Sequence, residues 1–176
     1  MDEIRTFFIN HYDEIKTEVK KMDDDLDNFF SEFKERFLEE HKELTSEFMD
    51  RHRTLRFYKD IPTWWNGWKV TNEERIYFYL ELKCEDNLKF YVQRTLKVYS
   101  KDLNTKINHY LQLTGTPLII HKYMDTFKVF DRVELKSDHP ILSNEWKLDI
   151  FNKATEILEK LEQKQEEEVQ RYAAFE

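Results

Sequence analysis

Apolar residues recur every eleven positions through the first fifty residues of this chain. Eleven residues make three helical turns at about 3.67 residues per turn, so the members of such a row stay on one side of a helix. Three rows share the spacing, namely Ile4, Ile15, Leu26, Phe37 and Phe48; Phe8, Val19, Phe30 and His41; and His11, Met22, Phe33 and Leu44. The pattern predicts a long amphipathic helix with an aromatic seam.

This N-terminal arm, residues 1–52, contains neither glycine nor proline, which favours one continuous helix. A break near Lys21–Asp25 is the alternative, because Asp24 is a good N-cap for a second, near-collinear helix. The unbroken spacing of apolar residues across this interval favours continuity. The side chains that we expect to face inward are Phe8, Ile15, Val19, Met22, Leu26, Phe30, Phe33, Phe37 and Leu44.

Residues 53–142 change to strand patterning and form the sheet-containing body of the predicted fold. Apolar residues alternate with others from Ile76 to Leu82, and residues 88–99 follow as a returning strand. With a turn at Glu85-Asp86-Asn87 between them, these two segments predict a hairpin. The elements expected after it are an inserted helix with its apolar stripe between Leu103 and Leu111, and a second hairpin of residues 118–123 and 127–135.

A last helix is predicted over residues 143–176, with Ser143 as its N-cap. Its apolar stripe fades after Leu161, so we expect its end to project into solvent or to meet another chain. The first and last helices each need to bury a stripe, and we expect them to pack together.

The whole chain therefore predicts one α+β domain over residues 1–176. The predicted elements are a long N-terminal amphipathic helix or two collinear helices, a small antiparallel sheet of hairpins with one inserted helix, and a long C-terminal helix.

Composition excludes several classes of function. The two glycines, Gly67 and Gly115, are too few and too far apart for a phosphate-binding loop or a dinucleotide fingerprint. Cys84 is the single cysteine, which excludes an intramolecular disulfide and a CxxC zinc site. The six histidines lack HxH or HxxxH spacing, so we expect neither a metal nor a cofactor. With no leader segment and no apolar run of about 18 residues, we expect a cytoplasmic protein without membrane association.

Charge is spread unevenly along the chain. Residues 1–50 carry a net charge of −9, residues 51–142 one of +5 and residues 143–176 one of −4. An acidic helical arm offers a surface to a basic partner protein, and Glu32, Glu35 and Glu39 are its candidate binding residues. The alternative is that the excess of glutamate only solvates the outer faces of the helices.

Three of the four tryptophans, Trp64, Trp65 and Trp68, lie within five positions. If they are exposed, they form a surface on which bases, sugars or a partner helix can stack. If they are buried, they hold the junction between the first helix and the sheet. The basic, tryptophan-rich middle of the chain leaves direct nucleic-acid binding as a further alternative.

Glu81-Leu82-Lys83 ends a hydrophobic strand, and Asp60 lies upstream, two residues before Pro62. This arrangement resembles the D…(D/E)xK constellation of the PD-(D/E)xK nuclease superfamily. The resemblance implies a Mg²⁺-dependent nuclease in which Asp60 and Glu81 bind the metal, Lys83 lies beside the attacking water, and Glu47 on the preceding helix adds a carboxylate. The alternative interpretation is a solvent-facing row of Tyr77, Tyr79, Glu81 and Lys83 on one side of a strand.

The hairpin that follows Lys83 leaves no room for the helix that usually backs such a nuclease site. We therefore favour a non-enzymatic macromolecular binding protein, in the specific form of an acidic inhibitor or adaptor that engages a basic protein surface. We also expect a homodimer with the long helix at its interface, because no other predicted element is long enough to cover that helix.

Overall fold

A computed structural model describes residues 2–59, 76–98, 105, 119–120 and 127–173. Helices cover one face of an antiparallel sheet in this part of the chain, which confirms the α+β class. The helices are α1 (Glu3–Asn10), α2 (Tyr12–Glu40) and α3 (Asn144–Ala173). The strands are β1 (Thr45–Met49), β2 (Thr54–Tyr58), β3 (Ile76–Cys84), β4 (Phe90–Val98), β5 (Ile119–Ile120) and β6 (Phe127–Leu135).

The N-terminal helices meet at His11, which has φ −114° and ψ 16°. The His11 N–H donates to the Phe7 carbonyl at 3.0 Å, which ends α1, and the Ile15 N–H donates to the His11 carbonyl at 2.9 Å, which begins α2. The alternative break near Lys21–Asp25 is wrong, since that interval lies inside α2. The favoured prediction of one continuous helix is also wrong, because α1 and α2 are separate helices. The two-helix form of the prediction holds, with its junction at His11, ten residues before Lys21.

The second helix ends at Glu40, so the prediction that residues 1–52 are helical is wrong over its last part. Residues 45–49 form β1, which pairs with β2 and brings Phe48 opposite Leu55. A short 3-10 turn and Arg53, with φ 42°, join the two strands. The apolar spacing predicted a helix here because it requires only that Leu44 and Phe48 face the core. Both do so, but Phe48 reaches the core from a strand.

The sheet has the strand order β1-β2-β3-β4-β6-β5, and every pair is antiparallel. The hairpin of β3 and β4 is confirmed, with its turn closed by Leu88 at φ 58°. The pairing of β5 with β6 confirms the second hairpin, while its turn lies outside the described residues. Of the inserted helix expected between Leu103 and Leu111, Thr105 is described and is helical, and the rest lies outside the described residues.

The main core lies between the helices and one face of the sheet. The Phe30 ring is 5.9 Å from that of Phe90, and the Phe33 ring is 5.0 Å from that of Phe151 on α3. The predicted packing of the first helix against the last is therefore confirmed. The N–H of Trp146 donates to the Ser143 hydroxyl at 3.1 Å, which also confirms the cap of α3.

The predicted inward-facing residues divide into two groups along the arm. The first group is buried in the core and consists of Leu26, Phe30, Phe33, Phe37 and Leu44. Met22 belongs with them, because it is partly buried and packs against the same core. Ile15 is half-buried, but Phe8 is 54% exposed and Val19 is 48% exposed, so their predicted burial is wrong. The apolar face that packs on the core thus continues toward the N-terminus, where the sheet and α3 no longer cover it.

Replacing Phe33 by alanine should lower the free energy of unfolding by about 3–5 kcal/mol, because its side chain is fully buried among other rings. Urea denaturation of the full chain measures the loss. The control is Leu148→Ala, which removes a large apolar side chain that is 55% exposed and should change the value by at most about 0.5 kcal/mol. Equal effects of the two substitutions would contradict this core.

Candidate functional site

A row of polar side chains crosses the face of the sheet that points away from the helices. Cross-strand register aligns Glu47, Arg56, Glu81, Gln93 and Arg132 in five successive strands. Glu81 is only 1% exposed, and its Oε1 accepts from Arg56 Nε at 2.6 Å while its Oε2 accepts from Gln93 Nε2 at 2.5 Å. The sheet thus holds a buried, charge-compensated carboxylate at its centre.

This burial corrects the interpretation of the strand face as solvent-facing, because Tyr79 is buried together with Glu81. Lys83 is half-buried, and the side chain of Tyr77 lies outside the described residues. A carboxylate in a row of alternating charge can be buried when a guanidinium lies next to it. The sequence signal was Arg56 in the middle of the neighbouring strand, although its register with Glu81 was not predictable.

The positions of Glu47 and Glu81 bear on the nuclease alternative. Glu47 is exposed on β1 and not on a helix, so its expected position is wrong. Arg56 already supplies the positive charge beside Glu81 that a metal ion would supply. Asp60 lies outside the described residues, and its distance from Glu81 stays untested.

A second charge network lies on the helix-facing side of the sheet and centres on Arg94, which is fully buried. Its Nε donates to Asp131 Oδ2 at 2.9 Å, and its Nη1 donates to Gln165 Oε1 at 2.9 Å. Both terminal nitrogens bind Glu168, at 2.7 and 3.1 Å. This forked contact attaches the polar end of α3 to β4.

The expectation that α3 leaves the body after Leu161 is therefore wrong. Glu162, Gln165 and Glu168 are buried, and their spacing continues the helical face that Leu158 and Leu161 begin. The stripe changes from apolar to polar without leaving the interior, because Arg94 gives it a charged surface to pack on. The helical spacing of these polar residues was a signal that hydrophobicity alone missed.

His41 lies at the C-terminus of α2 among several carboxylates. Its Nε2 is 3.2 Å from Glu159 Oε1, and its Nδ1 is 3.3 Å from Glu162 Oε2. His41 belongs to two groups of residues whose possible metal-ligand atoms lie within 4.8 Å of one another. One group is Glu40, His41 and Glu159, and the other is His41, Glu43 and Glu162. These residues are the candidate metal ligands in the described part of the chain.

Lys59 already provides a cation at this cluster. Its Nζ is 2.9 Å from Glu162 Oε1 and 2.7 Å from Glu166 Oε1. Burial lowers the pKa of Lys59, but the hydrogen bonds to Glu166 and Glu162 outweigh that effect and leave the pKa raised, so the ammonium stays charged. Lys59 therefore compensates the charge of Glu162 and Glu166.

The proposed acidic binding residues have the accessibility that the hypothesis requires. Glu32, Glu35 and Glu39 are all exposed on α2. Their spacing of three and then four residues places them on one face, opposite the buried Phe33 and Phe37. Trp64, Trp65 and Trp68 lie outside the described residues, so neither interpretation of the tryptophan cluster is tested.

Exposed apolar side chains concentrate at the other end of the N-terminal helices. Six of the nine well-exposed large apolar or aromatic residues in the described part of the chain lie on this arm: Ile4, Phe7, Phe8, Ile9, Tyr12 and Val19. The first helix contributes no buried residue at all. This concentration differs from the isolated exposed residues that are ordinary on protein surfaces.

The single thiol, Cys84, lies at the end of β3 and is buried in the core. Burial raises its pKa to about 11, and Arg53 opposes this only in part. The thiol is therefore protonated near neutral pH, whereas a nucleophilic cysteine needs a lowered pKa. Cys84 acts here as a core residue.

Comparison of this chain with protein-family models, with curated proteins and with solved structures finds no match. None of the described helices combines the length and the apolar character that crossing a membrane requires.

Replacing Glu81 by alanine should lower the free energy of unfolding by about 3–5 kcal/mol, because Arg56 would stay buried without its counter-charge. Glu47→Ala is the control, since this exposed glutamate faces the same arginine across β1 and should cost at most about 0.5 kcal/mol. The double substitution Arg56→Met with Glu81→Leu should recover most of the loss. Tolerance of Glu81→Ala would mean that the carboxylate is not buried.

The burial of Cys84 should make the protein less stable at alkaline pH. The thiol pKa rises from 9.0 to about 11 on folding, so the folded state keeps a proton that the unfolded state loses between these values. The contribution of Cys84 is complete below pH 9 and should fall by about 1.3 kcal/mol between pH 8 and pH 10. The measurement is the difference in unfolding free energy between wild type and Cys84→Ala at each pH. A constant difference would contradict the raised pKa.

Proposed function

We propose that this chain is a non-enzymatic binding protein that engages a basic protein surface through the acidic outer face of α2. One observation carries the proposal: Glu32, Glu35 and Glu39 are exposed along one face of the helix, and none of them forms an ion pair in the described part of the chain. Their charge is therefore available to a partner.

The acidic residues of α3 provide the contrast. Glu159, Glu162, Glu166 and Glu168 all lie within ion-pair distance of a histidine, lysine or arginine of this chain. Their charges serve the internal packing of the helix. The row on α2 thus differs from this part of α3, whose glutamates are paired within the chain.

The spacing of the three glutamates suits a protein partner. From Glu32 to Glu39 the row extends over about 10 Å at 1.5 Å per residue, so lysines or arginines on one surface can contact all three. The net charge of −9 over residues 1–50 adds a field that speeds association with a basic partner. The lone, unpaired Cys84 accords with action in a reducing, cytoplasmic setting.

Catalysis is less well supported by the same geometry. The buried ionisable groups with resolved partners, such as Arg56, Glu81, Arg94 and Glu168, are neutralised in pairs. Catalytic groups in contrast need access to a substrate. A basic protein partner is thus favoured over both the nuclease and the nucleic-acid alternatives.

Charge reversal on α2 tests the proposal. The full chain, immobilised at low salt, should retain basic proteins from an extract of its host, and the variant Glu32→Lys/Glu35→Lys/Glu39→Lys should retain them at least about tenfold less. The matched control is Asp86→Lys/Asp138→Lys/Glu145→Lys, which makes the same change in net charge at exposed sites outside α2. Added salt should release the partner from wild type.

Two results would contradict this function. Equal loss in the test and control variants would show that net charge and not the α2 face is responsible. Recovery of nucleic acid, cleaved in the presence of Mg²⁺ and protected by Lys83→Ala, would favour the nuclease alternative instead.

A further inference from the structure

The outer part of the N-terminal arm, residues 2–21, continues the helical face that packs on the core, but the described body does not cover it. Ile4, Phe8, Ile15 and Val19 are separated by four, seven and four residues, which keeps them on one side of the arm. The same side of α2 is buried from Leu26 onward. Only His11 separates α1 from α2, so the stripe extends over both helices, with Ile15 half-buried and the other three residues exposed.

We propose that this stripe is covered by the same arm of a second copy of the chain, in antiparallel orientation, about a two-fold axis beside His11 and Tyr12. An antiparallel pair centred there brings Ile4 opposite Val19 and Phe8 opposite Ile15. Each contact occurs twice by symmetry, as in other two-fold interfaces. The stripe then becomes the apolar centre of a helix pair.

The charges of the arm select this orientation and register. The same alignment brings Asp2 opposite Lys21, Glu3 opposite Lys20 and Arg5 opposite Glu18, and all six side chains are exposed. Every one of these pairs has opposite signs. Apolar and charge complementarity therefore agree, although they come from different residues.

Neighbouring arrangements lose this agreement. A shift of one residue brings Ile4 opposite Glu18 in one direction and opposite Lys20 in the other. A parallel, in-register pair would bring each charged residue opposite its own copy, which is repulsive. The sequence thus favours the antiparallel pair in this register and disfavours both the shifted antiparallel pairs and the parallel pair.

A membrane surface fits the arm less well than a second copy does. Between Asp2 and Lys21 the arm carries five acidic and four basic residues. Helices that lie on anionic membranes instead have polar faces rich in lysine and arginine. The mixed charge of this arm matches the mixed charge of its own copy.

The pairing does not depend on the acidic face proposed above, because Glu32, Glu35 and Glu39 lie outside residues 2–21. Sedimentation of the full chain over micromolar concentrations at low salt should show a species of twice the chain mass of 21.8 kDa. Lys20→Glu/Lys21→Glu and Asp2→Lys/Glu3→Lys should each raise the dissociation constant at least about tenfold. An equimolar mixture of the two variants should regain the dimer, because each then meets the opposite charge.

Cysteine crosslinking tests the orientation separately. In a Cys84→Ala background, mixing Ile4→Cys and Val19→Cys proteins should give a disulfide-linked dimer under mild oxidation. Ile4→Cys alone should not crosslink, since the two copies of this position would lie about 20 Å apart along the pair. Leu148→Cys, exposed on α3, is the control that should stay monomeric on a denaturing gel.

Three results would overturn the proposal. One is a mass of 21.8 kDa at every concentration tested. A second is crosslinking of Ile4→Cys with itself, which would indicate a parallel pair. The third is a monomer whose arm binds vesicles of phosphatidylserine and phosphatidylcholine, which would assign the stripe to a membrane.

Discussion

One buried guanidinium, that of Arg94, determines how the last helix lies on the sheet. A charge of this kind is costly inside a protein unless carboxylates and hydrogen-bond acceptors surround it. Asp131, Gln165 and Glu168 provide them from β6 and from α3. Since the guanidinium is planar and its donors have fixed directions, α3 can satisfy it in few positions. The polar interior therefore specifies the docking of this helix, while the apolar core around Phe33 supplies most of the stabilisation.

The sheet carries a buried charge pair on each of its faces. Arg94 with Glu168 lies toward the helices, and Arg56 with Glu81 lies on the opposite side. Each pair joins segments that are distant in sequence. Many charged residues thus have an internal partner, which makes the unpaired acidic residues of α2 and the exposed stripe of the arm stand out as surfaces for other molecules.

The parts of the fold that depend on local patterns could be predicted from the sequence. The α2 core face follows from apolar spacing, the β3–β4 hairpin from its turn, and the start of α3 from the Ser143 cap. Strand β1 could not be predicted, since Leu44 and Phe48 suit a helix and a strand equally. The burial of Glu81 and Glu168 depends on Arg56 and Arg94, whose register is decided by the whole sheet. For the candidate site, helical spacing placed Glu32, Glu35 and Glu39 on the exposed face of α2. The exposure of Phe8 could not be predicted, because periodicity shows which residues share a helix face but not whether another element covers that face.

The strand order has a consequence for how such a molecule can associate. The outer strands of the described sheet are short, with five residues in β1 and two in β5. An unpaired strand edge is a template on which further copies can add without limit, and short edges offer few backbone groups for that growth. Assembly through side chains of a helix, by contrast, ends once the matching surfaces have met. The architecture thus favours complexes of defined size over fibrous or amorphous aggregates, even in a chain with many aromatic residues.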